Sequence, residues 1–438
     1  MTDDPAEFTE FDEDELVDSL GDAVAPLDTV DPDASFDDLG VVGSAIGDAD
    51  VIGMGEASHG TREFFRFKDR LFRYLVEERG VRMLGFEANF AAMLDVDGYV
   101  LRGEGSAETL LSREIIHGPY RTESMLELIE WIRSFNEDRD PDDRVRVHGI
   151  DVQYPPVAAS KLESYFETVD PAVLDAVRSD LRHLVENGVP GVSDDAELGA
   201  HLDASEAVVA ALGDALDEHE SAFVDATSRR AYERARRLLW TIEQGRKQFE
   251  AIRQGRTDTG ANVRIRDSAM AAQVQWLLRH EPPDRIALWG HNAHLARNAF
   301  AGGRVRQTQD IPSLGRNLAT LQSIDYYALG LSLGGGTVRA AYVPEGEFRK
   351  YEIESPPEGS IPDVFGRLET PLFFLDLNGL LPDSPPAEWL DAKPRHFDVA
   401  GGYRDTPVTL AESNFRRQFD GLVFVDDTTA ARGLSGDS

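Results

Sequence analysis

Val51-Ile52-Gly53-Met54-Gly55-Glu56-Ala57-Ser58-His59-Gly60 is a short apolar strand that breaks at a glycine into titratable side chains. A helical pattern follows over 61–78, carrying Phe64, Phe65, Phe67, Leu71, Phe72 and Leu75 at near-helical spacing. Gly80 ends it, and a second strand is expected at 82–86. Leu126, Ile129 and Ile132 mark a helix over 123–135, and 145–150 reads as a third strand. Strands alternating with helices predict βαβ units and a parallel sheet. Far along the chain, Ile286–Trp289 repeats the opening arrangement by running into Gly290-His291-Asn292-Ala293-His294. Ligands of open α/β sheets bind beyond the carboxyl ends of the strands, so two histidine-bearing strand ends point to one site.

Working outward, the expected fold is α/β, a mostly parallel sheet flanked by helices, with a helical insertion or lid over the cleft. Residues 1–30 form an acidic N-terminal segment with one amphipathic stretch around Leu16, Leu20 and Val24. Residues 31–155 are the first part of the α/β core. Residues 156–258 are rich in Ala, Leu, Glu and Asp with almost no strand signal, and Arg229–Arg253 reads as one long helix. The core resumes over 259–429, with a helix at 263–279 and strands at 286–289, 326–333, 338–342, 372–375 and 422–425. The tail 430–438 is expected to be disordered.

Composition narrows the function classes. The 438 residues include 44 basic and 80 acidic side chains, a net charge of −36. That excess repels nucleic acid and anionic membranes, and at low ionic strength it opposes the compact state. Molar salt shortens the Debye length to about 3 Å, so the acid spread along the chain predicts a salt-adapted protein. No cysteine is present, which removes disulfides, thiolate nucleophiles and sulfur metal ligands. The acidic start lacks signal-peptide character, and no run reaches the roughly 18 apolar residues of a membrane helix. A cytoplasmic monomer acting on a small molecule is expected, without cofactor or metal in the leading reading and with a metal-assisted site as the alternative.

Two tempting motifs fail. Gly53-x-Gly55 lacks the third glycine of a dinucleotide fingerprint, because that position is Ser58. Gly330-Leu331-Ser332-Leu333-Gly334 matches the nucleophile-elbow pattern, but Gly335-Gly336-Thr337-Val338 follows where a helix is required. A hairpin is expected there instead.

What survives is a set of carboxylates and imidazoles at strand ends. Glu56 and His59, at i and i+3, can face one cleft. Glu87 follows the apolar strand Met83-Leu84-Gly85-Phe86 and is costly to bury unpaired, so it is expected to hold His59 or a water. Of His291 and His294, one can polarise a carbonyl and the other orient it. Asp151 ends the third strand, where His148 can be a core residue, and Arg266-Asp267 can form a buried ion pair or supply a cation to an oxyanion. His183, His201 and His219 are expected to be solvated. From these residues alone, general-base hydrolysis, Zn²⁺- or Mn²⁺-assisted hydrolysis and ligand binding without turnover all stay open.

Gly55-Glu56-Ala57-Ser58-His59-Gly60-Thr61-Arg62-Glu63, Gly85-Phe86-Glu87, Arg121-Thr122-Glu123, Gly149-Ile150-Asp151, Arg266-Asp267 and Gly290-His291-Asn292-Ala293-His294 occur in that order. In order and spacing this set resembles the erythromycin esterase family, over about residues 45–427. Ser58 stands where many members carry Thr. The resemblance implies an α/β core with a helical portion over a cleft, and opening of macrolide lactones by water without a covalent enzyme intermediate. It implies His59 as general base, Glu87 holding or polarising the water, and Glu56 and His291 as further catalytic residues. It assigns substrate binding to His294, Arg266, Arg62, Arg121 and Asp151, and implies an ester or lactone substrate.

Overall fold

The computed structural model describes residues 12–112, 118–153, 155–187, 195–256, 260–281, 284–299, 310–342, 345–399, 401–403 and 406–434. Its centre is a sheet built from β1 (Val24–Pro26), β2 (Val51–Met54), β3 (Met83–Asn89), β4 (Arg146–Asp151), β5 (Ile286–Trp289), β6 (Tyr326–Tyr342), β7 (Glu347–Glu352) and β8 (Leu372–Asp376). Three further strands are β9 (Arg395–Val399), β10 (Gly402–Tyr403) and β11 (Val408–Glu412), and β12 (Gly421–Thr428) completes the set. The order across the main sheet is β1-β8-β12-β6-β2-β5-β3-β4. From β12 to β4 every neighbouring pair is parallel, while β8 alone is reversed and pairs antiparallel with both β12 and the edge strand β1.

Period-two alternation sends successive side chains to opposite faces, and both faces are covered. Val51, Met83, Ile286 and Leu288 join one hydrophobic cluster, and Ile52, Leu84, Ala287 and Trp289 join the other. The second face is covered by α3 (Arg62–Arg79), α4 (Phe90–Arg102) and α6 (Glu123–Asn136); α1 (Glu13–Ala23), α2 (Gly40–Ile46) and α5 (Ala107–Leu111) complete the first third. Helix α3 stops at Gly80, whose φ of 70° is open to glycine without strain.

The helical stretch comprises α7 (Pro155–Val169), α8 (Pro171–Glu186), α9 (Asp195–Glu218), α10 (Glu220–Ala226) and α11 (Arg229–Arg253). Leu162, Leu174, Leu212 and Leu239 from it belong to the same cluster as Val51 and Ile286 of the sheet. It therefore shares the core of one sheet face. Helix α12 (Ala261–His280) leads the chain from there back to β5.

Four expectations change. Residues 326–342 are one strand, not a hairpin: β6 pairs with β12 as far as Gly336, then turns to β7 from Thr337 onward. The glycines permit that change of partner, since a Cβ on Gly336 (φ 99°) would lie 2.1 Å from Thr428 O. No helix follows Ser332, as expected, and the serine is itself buried inside this strand, so the elbow is excluded. The tail is ordered to Leu434, with Ala431 and Leu434 buried and Ala430 bridged to Thr61; residues 435–438 lie outside the described set. Val24 belongs to β1 instead of the amphipathic helix. His201 is buried against Phe249, whereas His219 is exposed and His183 half-buried.

Candidate active site

Because β2, β3, β4 and β5 run parallel, their carboxyl ends deliver Gly55–Gly60, Glu87, Asp151 and Gly290–His294 to one edge of the sheet. The loop after β2 is fixed from several sides. Gly60 O accepts from Arg339 N at 3.0 Å and from Ala431 N at 2.9 Å, and Ala57 O accepts from Val399 N at 2.8 Å. Asn292 N donates to Glu56 O at 2.8 Å, while its side-chain amide pairs with the Leu331 backbone of β6. A Cβ on Gly55 would lie 2.2 Å from Asn292 Oδ1, which is why the strand must end in glycine.

Glu56 is fully buried, and its Oε1 lies 2.7 Å from His59 Nδ1. Its other oxygen accepts from Lys68, a fully buried ammonium that stands 4.1 Å over the Trp289 ring. Burial opposes the carboxylate, but Lys68 and then His59 outweigh it and hold Glu56 below its ordinary value. Burial pulls Lys68 down to about 8, with Glu56 resisting. An ionised Glu56 accepts Nδ1–H, so His59 carries its basic lone pair on Nε2.

His291 lies with its ring centroid 5.0 Å from that of His59. As the cap of the short helix that follows, its Nδ1 accepts from Ala293 N at 3.2 Å, which puts the proton on Nε2. Nε2 is buried, 3.4 Å from Asp398 Oδ1 on β9. Burial lowers the His291 pKa, so the ring is neutral. The two imidazoles therefore face one another as a base and a donor.

Behind them sits a charged frame. Glu87 takes Arg266 Nη2 on Oε1 at 2.9 Å and His291 N on Oε2 at 2.9 Å. His294 bonds Asp267 through Nδ1 at 2.8 Å and lies 3.2 Å from Glu87 through Nε2. Against the cost of burial, Asp267 and Glu87 raise His294 to about 10. Arg266 also forks onto Asp151, with Nη2 at 2.6 Å and Nε at 3.1 Å. Burial opposes the Glu87 carboxylate, yet His294, His59 and Arg266 hold it well below its usual range.

The structure thus brings together Glu56, His59, Glu87, Asp151, Arg266, His291 and His294. It corrects one partnership: Glu87, expected to hold His59 or a water, is committed to Arg266, His294 and the His291 backbone, and it is Glu56, facing the same cleft as expected, that holds His59 Nδ1. Arg266 and Asp267 diverge from one helix, Arg266 to Asp151 and Glu87, Asp267 to His294 and Leu314 N. Asp151 is engaged with Arg266 and the backbone of Val152 and Gln153, which makes it a buried support. Arg62 and Arg121 are placed by their backbones, which tie down Thr429 and Leu434. Next to Arg121, the buried Tyr120 ring stands edge-on to His59 at 6.2 Å. Among the described residues no three His, Asp or Glu side chains are gathered as a metal site.

Sequence reading missed Lys68, Asp398 and Tyr120. Lys68 had a visible signal, since it lies inside the apolar stripe of α3 between Phe64 and Leu71. Asp398 had none, because β9 lies over a hundred residues from His291 in sequence and its pairing was not legible.

The family described as Erythromycin esterase matches residues 76–428 of the chain. YbfO of Bacillus subtilis is 23% identical over 425 residues, covering 92% of this chain and 89% of that protein. Erythromycin esterase type II of Escherichia coli is 24% identical over 365 residues, covering 75% of this chain and 81% of that enzyme. A crystal structure of a Bacillus cereus protein superposes with a TM-score of 0.81 at 24% identity, covering 97% of this chain and 100% of that one.

Proposed function

The chain belongs to the erythromycin esterase family, and from that premise we propose that it hydrolyses an ester or lactone with a water activated at His59. The observation that carries this reading is the pair of neighbouring imidazoles with opposite tautomers, His59 fixed by Glu56 and His291 fixed by Ala293 N. His59 Nε2 takes a proton from water as the oxygen bonds to the acyl carbon. The C=O π pair moves onto the acyl oxygen, where His291 Nε2–H is the donor at hand. Collapse of the tetrahedral species breaks the bond to the alkoxide, and His59 returns its proton to that leaving oxygen. Charge on the imidazolium formed in between is stabilised by Glu56, itself kept ionised by Lys68. Glu87, Arg266, Asp151, Asp267 and His294 hold the frame.

General-base help of this kind contributes roughly 10²–10⁴-fold. Turnover of a panel of lactones and simple esters in molar KCl by wild type and His59→Asn, each with and without chelator, tests the reading. The expected result is turnover in the wild type that is indifferent to chelator and falls by about that factor in a folded His59→Asn. Full activity in His59→Asn overturns it. Loss of wild-type turnover on chelation transfers the same cluster to metal-assisted chemistry.

A further inference from the structure

Away from this site, α4, α7 and α11 enclose a cavity of about 290 Å³ between the helical stretch and the core. That size stands at the lower end of small-molecule pockets, roughly 300–1,000 Å³. Leu94, Tyr165, Ala235 and Leu238 form an apolar floor, in which Ala235 and Leu238 are buried, while Ser228 and Arg230 are exposed at its mouth. Three charged side chains line it, Lys161, Arg230 and Arg234, and all three are basic. With 80 acidic to 44 basic residues in the chain, an unselected wall would carry mostly carboxylates.

The charges behind that wall do not balance. Asp97 and Glu281, both buried, are shared among three arginines. Arg146 takes Asp97 through Nη2 and reaches Glu281 through Nη1 at 2.5 Å, and Arg230 also takes Glu281. Arg234 is left with the longest contacts, 3.3 Å to Glu281 and 3.6 Å to Asp97, and its Nε is buried without an acceptor. Lys161 is matched by Asp95 at 2.6 Å. One guanidinium is therefore in excess, and the least satisfied of the three belongs to a residue of the cavity wall. An orphan buried donor costs free energy, and more when it is charged.

We infer that this cavity binds a small organic monoanion, a carboxylate on an apolar body, with the carboxylate at Arg234 and the body over Leu94, Ala235 and Leu238. An inorganic anion would leave the apolar floor unused, and a neutral ligand would leave the excess charge unanswered. The site is separate from His59. Its carboxylates meet Arg146 at the start of β4, whereas Asp151 of the catalytic frame ends that strand, roughly 16 Å away at about 3.3 Å per residue.

Calorimetric titration of the full chain with octanoate, acetate and octanol at constant KCl tests the site in wild type and two variants. Arg234→Met removes the excess cation and leaves Arg146 and Arg230 to match Asp97 and Glu281. Ala231→Leu fills the cavity from its wall. The wild type is expected to bind octanoate saturably, with affinity about tenfold or more weaker in each variant and for acetate and octanol. In crystals soaked with ω-bromooctanoate, the anomalous bromine peak is expected beside Leu94 and Leu238. Should Arg234→Met not fold, Ala231→Leu carries the comparison. A wild type without saturable binding, undiminished affinity in the variants, octanol bound as tightly as octanoate, or bromine only beside His59 overturns the site.

Discussion

His59 and Glu56 work through a single hydrogen bond, 2.7 Å long, and the residue-scale predictions follow from which atom holds the proton. Glu56→Gln would present an amide that can donate to Nδ1 and so move the basic lone pair off Nε2. Activity is expected to fall by roughly 10²–10⁴-fold in kcat, the scale set by tautomer-reversing changes in other hydrolases. The same variant leaves the Lys68 ammonium buried without its carboxylate, so a lower Tm accompanies the loss. Lys68→Met makes a different prediction. Without the ammonium, burial dominates Glu56 and raises it, so the acid limb of the kcat/KM profile moves toward neutrality. An acid limb in Lys68→Met that coincides with that of the wild type would show that Lys68 does not act through Glu56.

At the scale of elements, the loop carrying His59 is positioned by strands distant in sequence. A Cβ at Gly60 would lie 1.7 Å from the Arg339 carbonyl oxygen, so Gly60→Ala must push the loop off β6. Loss of both turnover and several degrees of Tm is the expected outcome, checked by parallel rate and melting measurements. The central strands were legible because β2, β3 and β5 are apolar runs buried on both faces, and α11 because its apolar periodicity is sustained from Arg229 to Arg253. The long strand β6 was not legible. Its glycines carry the chemistry of a turn, yet the chain stays extended because β12 and β7 pair with successive halves of it. The histidine cluster was legible from strand ends, but its wiring was not. Whether Glu56 or Glu87 reaches His59 depends on side-chain paths across adjacent strands, which spacing does not encode.

For the whole molecule, a net charge of −36 makes stability a function of salt. Tm should climb as KCl rises from about 0.1 M to molar levels, where screening shortens the Debye length to about 3 Å. Acid acts through buried imidazoles: burial lowers His148, His201 and His396 each to about 4. Their unfolded value is about 6.5, so between 6.5 and 4 the unfolded chain binds more protons and stability falls as pH drops. His148, with both nitrogens buried and unpartnered, should account for part of this, and His148→Leu should flatten the decline of Tm over that window. The central claim remains the direct attack of a His59-activated water, and a single turnover in H₂¹⁸O with excess enzyme tests it most directly. One ¹⁸O in the released carboxylate and none in the protein is the expected result. Label appearing first in the carboxylate of Glu56 or Glu87, with unlabelled product, would mean a covalent acyl-enzyme and would contradict it.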